Sequence, residues 1–236
     1  MNKLKGTSQQ NETRTFADGS GTKEPVTARG VRTRATLVAA ARVVFERDGF
    51  LGSRITDIAA EAGCASGTFY IYFSSKEEAL IAVLEAAQDD MLHPGLPHVP
   101  ETDDPTEVIA ASNRAYLTAY LRNARLMEIL YQVASIDPMF QDLRRRRSAA
   151  FNERSSRHIA ELQARGLADP TLDPLNAGKA LSGMVSRVAM ELMVQEGTSL
   201  DETVELVTKL WINALKLRAP EDSKAASWRA GGRGRR

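Results

Sequence analysis

The sequence is short of most things that would give a protein covalent or redox chemistry. It has one cysteine, Cys64, so an internal disulfide is impossible. It has three histidines, His93, His98 and His158, and none shares a ligand-like spacing with Cys64 or with carboxylates, so no metal is expected. A glycine-rich phosphate loop and a nucleophile elbow are both missing, which removes the usual sequence marks of a nucleotide enzyme or a hydrolase. No cofactor is expected. There is no unbroken apolar run long enough for a membrane span or a secretory signal, so the chain reads as a cytoplasmic protein with no membrane partner.

Net charge is also small, at +1, yet it divides unevenly along the chain. Arg29 to Lys76 holds 7 basic and 4 acidic residues, whereas Glu77 to Arg218 holds 15 basic and 21 acidic. A basic block ahead of an acidic body suits a protein that turns one end toward phosphate.

What is present is helical periodicity. Apolar residues recur at three- and four-residue spacing, and no window alternates with the period of two that a strand requires. The fold class is all-α. Residues 1–28 are rich in Gly, Ser, Thr, Asn and Gln and read as a disordered arm, and residues 219–236 read as a disordered basic tail. Between them the pattern divides into a reader at 29–92 and a larger helical domain at 93–218, with His93-Pro94-Gly95 through Pro105 breaking helical structure between the two.

The first helix is expected from Arg32 to Asp48, with Ala35, Val38, Ala39, Val43 and Phe45 inward and Gly49 at its C-terminal cap. Ile55, Ile58, Ala59 and Ala62 give a second helix an inner face, Gly63 permits a sharp turn, and Ser66 to Tyr72 forms a third. Ser74 and Ser75 ahead of Lys76-Glu77-Glu78 read as a capping box for a fourth helix reaching Met91. Further helices are expected near Thr106 to Leu121, Ala124 to Ser135, Met139 to Arg165, Pro174 to Gln195 and Leu200 to Leu217.

Two short helices joined by a glycine turn at about 54–73 and braced by a longer one make a helix-turn-helix, which sets one helix in the DNA major groove. Ile58-Ala59, Ala62-Gly63, Gly67-Thr68-Phe69-Tyr70, Tyr72-Phe73 and Ser75-Lys76-Glu77 together resemble the tetracycline-repressor (TetR) family of regulators. The resemblance spans Arg32 to Leu92. It implies a homodimer whose paired third helices enter successive major grooves of a near-palindromic double-stranded DNA operator.

By that resemblance Thr56, Ser66, Thr68, Tyr70 and Tyr72 face DNA, and Gly67 lets the backbone come close. Lys76 reads as a phosphate clamp, because its ammonium stands at a helix start with exposed N–H groups. Four positions depart from the family pattern. Ala65 stands where a capping Ser is common, Ser66 where a basic residue is frequent, Ile71 where a polar one is common, and Arg54 in place of Thr. Ile71 offers contact with a thymine methyl group, and Arg54 either a phosphate or a guanine contact. Cys64, beside the turn, reads as a small buried hydrophobe ahead of a redox sensor, which would need an exposed thiolate.

In the larger domain Tyr116, Tyr120, Met127, Tyr131, Phe140 and Phe151 suit the lining of an apolar effector pocket, although core packing explains them equally well. Leu181, Met184, Val188 and Leu192 form one stripe and Val204, Val207, Trp211 and Leu215 another, which pair across a two-fold axis or fill the protomer's own core. Gly178, Ala180, Ser182 and Gly183 permit close helix approach. Arg144 to Arg147 spread around their helix, and solvated pairing with Asp142 or Glu153 stands beside an alternative in which some grip an anion such as a coenzyme A thioester. The reading that follows is a ligand-responsive regulator, by the resemblance a repressor, which is the family's commonest role; a DNA-binding architectural protein without an effector and a helical small-molecule-binding protein or enzyme are the alternatives.

Overall fold

Thr27 opens the first helix by accepting the Gly30 N–H on its hydroxyl at 3.1 Å, so α1 (Ala28–Gly52) starts before the expected Arg32. The computed structural model describes residues 27–92 and 104–218, and the regular structure in those residues is helical throughout. The expected arm up to Val26, the Pro-containing linker at 93–103 and the tail at 219–236 lie outside the described residues. Gly49 takes φ +71° within α1 and turns the chain where a C-terminal cap was expected.

The inner face of α1 is rotated from expectation. Leu37, Ala40, Ala41, Val44 and Phe45 are buried, while Ala35, Ala39 and Val43 are exposed. This stretch is apolar around most of its circumference, so periodicity could not choose a face. Packing against α4 and α6 did.

α2 (Ile55–Glu61) and α3 (Ser66–Tyr72) follow, with Gly63 at φ +65° making the turn between them. α4 (Lys76–Leu92) is capped by Ser75, whose Oγ accepts the Glu78 N–H at 3.3 Å. The Glu78 carboxylate reaches back to the Ser74 N–H and hydroxyl, at 2.6 and 2.8 Å, one residue further than the standard capping box.

Three Asp-Pro pairs start later helices: Asp104 caps α5 (Pro105–Arg122), Asp137 caps α7 (Pro138–Ala164) and Asp173 caps α8 (Pro174–Val188). α6 (Ala124–Ala134) and α9 (Leu200–Leu215) complete the set, the latter with a capping box between Ser199 and Glu202. α8 was expected to run to Gln195 as one α-helix, but Ala189–Gln195 is π-helical and packs on α5 and α9.

One hydrophobic cluster runs through both halves of the molecule, from Leu37 and Phe69 to Trp211 and Leu215. α7 and α8 come backbone to backbone at Gly178, where a Cβ would stand 2.9 Å from the Ser156 backbone nitrogen. Gly178→Ala is expected to cost about 1–3 kcal/mol in a urea titration, and an unchanged midpoint would show that the two helices separate without strain. Ala65 makes no side-chain cap for α3, whose first residue remains Ser66. Ala65→Ser is therefore expected to stabilise the protein by about 1 kcal/mol, read in the same titration, unless the helix start has moved.

Candidate functional site

α3 is amphipathic across its two turns. Phe69 is buried and its ring lies 5.5 Å from that of Phe73, fixing the inner side. Tyr70 and Ile71 point outward, 58% and 68% exposed. Gly67 is exposed beside them, and Ser66 and Thr68 are half-buried on the flank. Arg54 and Thr56, before and within α2, are exposed. The helix therefore presents a hydroxyl, a branched alkyl group and an approachable backbone to one side, the equipment needed to read a groove.

Tyr72 and Lys76 are placed differently from the other expected contacts. Tyr72 is half-buried and packs on the core. Lys76 Nζ donates to the Phe50 carbonyl at 2.7 Å and the Ser53 carbonyl at 3.0 Å, and it lies 4.6 Å from the centre of the Phe50 ring. Two of its three N–H donors are thus committed inside the protein. The side chain braces the end of α1 against α4 and is not a free phosphate clamp. Cys64 is half-buried against the core, as a small hydrophobe would be.

A cavity of about 1170 Å³ lies between α4, α5, α6, α7, α8 and α9. Tyr116, Tyr120, Met127, Tyr131 and Phe151 line it, as expected from sequence. Phe140 does not: it is fully buried, with its ring 5.8 Å from that of Phe50, and joins the body to the reader. Ring packing of Tyr116 on Phe151 at 5.4 Å stiffens one wall. Burial pushes the Tyr116 hydroxyl up to about 12, against a hydrogen bond with Ser186, and drives Tyr120 higher still, so both are neutral donors at neutral pH. Tyr120 Oη, Trp211 Nε1 and His158 Nε2 are buried without a hydrogen-bond partner, and all three residues border the cavity.

The expectation that the arginine run is solvated surface holds only in part. Arg145 does pair with Asp142, but Arg147 is only 6% exposed and donates to the Leu84 carbonyl of α4. Arg144, Arg145, Arg147, Arg154 and Arg157 all border the cavity, whereas among the described residues no Asp or Glu does. The i, i+3 and i, i+7 relations among Arg144, Arg147 and Arg154 were the available signal, since such positions share a helix face. Among the described residues no group of three His, Cys, Asp or Glu side chains is arranged to hold a metal ion. No described helix is long and apolar enough to cross a membrane.

The expected dimer stripe is largely internal. Leu181, Val204, Val207, Trp211 and Leu215 are buried within the protomer, and Met184 and Val188 pack on the same core. Leu192 is half-buried. The apolar side chains left on the outer face of α9 are Leu206 and Leu210, spaced i, i+4.

Reader and body are tied by polar contacts to backbone. Arg42 donates to the Arg122 carbonyl at 2.9 Å and Arg125 to the Glu46 carbonyl at 3.2 Å. Asp90 of α4 accepts from Arg122 at 2.8 Å and from the Asn123 amide at 2.8 Å. The Arg122 bond, with help from Asn123, holds the Asp90 carboxyl below its ordinary 3.8. A depressed carboxyl contributes stability above its unfolded value and loses it as pH falls through the folded one. Asp90→Asn is expected to lower the melting temperature above about pH 5, with the gap to wild type closing below pH 3.8; a gap independent of pH would deny the ion pair this role.

Residues 37–83 match the family model described as bacterial regulatory proteins, tetR family. Over 186 residues the chain is 22% identical to the transcriptional regulator EthR of Mycolicibacterium smegmatis, covering 77% of this chain and 85% of that one. Over 54 residues it is 44% identical to the transcriptional repressor NicS of Pseudomonas putida, 23% of this chain and 26% of the other. The structure of a TetR/AcrR-family regulator from Thermobifida fusca superposes with a TM-score of 0.62 at 27% identity, over 77% of this chain and 97% of that one. With the exposed third helix, the glycine turn and the helical body behind them, these likenesses identify residues 37–83 as a TetR-type DNA-binding segment and make the chain similar, beyond that segment, to DNA-binding transcriptional regulators.

Proposed function

We propose that the chain is a ligand-responsive repressor that holds a near-palindromic operator as a homodimer and releases it when a hydrophobic small molecule or acyl thioester enters the cavity. The observation that carries this reading is the double placement of α4. Its N-terminal half packs under the reader, and Met91 and Leu92 at its other end border the cavity. A ligand that prefers one position of α4 shifts the reader by its differential affinity for the two positions. The name of the Pseudomonas putida relative, a repressor, supports the sign.

On this reading Arg54, Thr56, Ser66, Gly67, Thr68, Tyr70 and Ile71 meet DNA. Two copies pair through the outer faces of α8 and α9, with Leu206 and Leu210 at the seam and Ala180 and Gly183 allowing close approach. The two third helices then stand roughly 34–36 Å apart or somewhat more, one turn of DNA. The protein works in the cytoplasm, where its operator is.

The test is binding of the full chain to DNA from upstream of its own gene, with salt titration and a scrambled competitor. Wild type is expected to prefer the specific DNA by about 10³-fold or more, and Tyr70→Ala to lose about tenfold or more with its fold intact. Weak binding blind to sequence, with no dependence on Tyr70, would remove the operator reading.

A further inference from the structure

The cavity is chemically one-sided. Among the described residues five arginines border it and no carboxylate does, and its unpartnered buried atoms include two donors, the Tyr120 hydroxyl and the Trp211 N–H. Tyr120 and Trp211 are 1% and 6% exposed, so water outside the cavity does not serve them. Ile109, Met127, Leu130, Phe151 and Val185 supply apolar wall between these groups. Such a lining favours an apolar body that carries negative charge and hydrogen-bond acceptors, and it disfavours a cation.

The arginines stand at two depths. Arg145, Arg154 and Arg157 are exposed, and Arg144 is half-buried with its guanidinium 5.3 Å from the centre of the Tyr131 ring. Arg147 alone is buried. A guanidinium has five N–H donors, and the hydrogen bond Arg147 makes runs to a neutral acceptor, the Leu84 carbonyl in the middle of α4. Glu85, next along α4, contributes a favourable field at Arg147. Burial lowers the Arg147 guanidinium to about 10, so it remains charged at neutral pH, and among the described residues no carboxylate stands at ion-pair distance from it.

We propose that the effector is an amphiphilic organic acid whose carboxylate pairs with Arg147, and that this pairing draws the guanidinium from the Leu84 carbonyl and releases α4. The proposal rests on the effector-responsive reading above and adds to it the ligand's charge and the residue that senses it. A carboxylate offers two oxygens to the guanidinium where the peptide carbonyl offers one, so the exchange favours the ligand. Because α4 also supports the reader, losing the Arg147 bond changes the body's hold on it without any contact between ligand and DNA.

The test uses the full chain with decanoate, decan-1-ol and choline as probes in calorimetric titration, followed by hydrogen exchange of α4. Decanoate is expected to bind at least about tenfold more tightly than decan-1-ol, choline not at all, and decanoate to speed amide exchange between Leu84 and Leu92. Arg147→Met should bind the acid and the alcohol alike and show fast exchange in α4 without ligand; Arg147→Lys should keep part of the acid preference. If Arg147→Met fails to fold, the acid-to-alcohol ratio and the exchange response of wild type decide the matter. Equal binding of acid and alcohol, an acid preference that survives in Arg147→Met, or bound decanoate that leaves α4 exchange unchanged would each overturn the proposal. Binding of decan-1-ol without decanoate would overturn it and leave the effector reading standing, whereas failure of every apolar probe would count against both.

Discussion

α4 has to satisfy two cores at once, and the rest of the structure follows from that constraint. Ala79, Leu80, Ala82, Val83, Leu84, Ala87 and Met91 are all buried along its 17 residues, which takes up far more than one helical stripe. Toward α1 it closes the reader, and toward α5 and α6 it closes the body. A helix buried this way cannot move without repacking both sides, and packed interiors resist continuous deformation. On the proposed reading, motion begun at the cavity would reach the third helix through this stiff element.

The polar contacts around α4 are few and specific for the same reason. A surface so apolar gives little orientational preference, whereas a hydrogen bond to a defined atom fixes register. Lys76 sets the first turn by its bonds to the Phe50 and Ser53 carbonyls, Arg147 reaches the middle at Leu84, and Arg122 and Asn123 hold the far end at Asp90. Each partner comes from a different element, so α4 is held at three levels by groups that respond to different influences. Among them Arg147 also borders the cavity, where the proposed effector would meet it.

The order of elements was legible in the sequence because helix boundaries are local chemistry. Gly49 and Gly63 supply positive φ, Ser75 and Ser199 cap, and Asp-Pro pairs open three helices. The same local reasoning placed Tyr70 outward and Phe69 inward on α3, since adjacent positions on a seven-residue helix leave little choice. It did not find the buried face of α1, where Ala35 and Ala39 are as apolar as Ala40 and Ala41 and only the neighbour selects between them. Nor did it separate Phe140 from the cavity aromatics, because ring type says nothing about which side of a helix bundle a ring faces.

The sequence by itself determined that the chain is helical, where most helices begin and end, and which side of the short third helix faces outward, because propensity, capping and glycine turns act over a few residues. Only the tertiary structure decided that Lys76 is a brace, that Val207 and Trp211 fill the protomer's own core, and that Arg147 is buried against α4 at the edge of a cavity bordered by five arginines. Those roles depend on what a side chain meets from a distant part of the chain. A lysine, a tryptophan or an arginine has the same intrinsic chemistry in solvent, in a core or beside a ligand, and the partner that selects among them is supplied by packing.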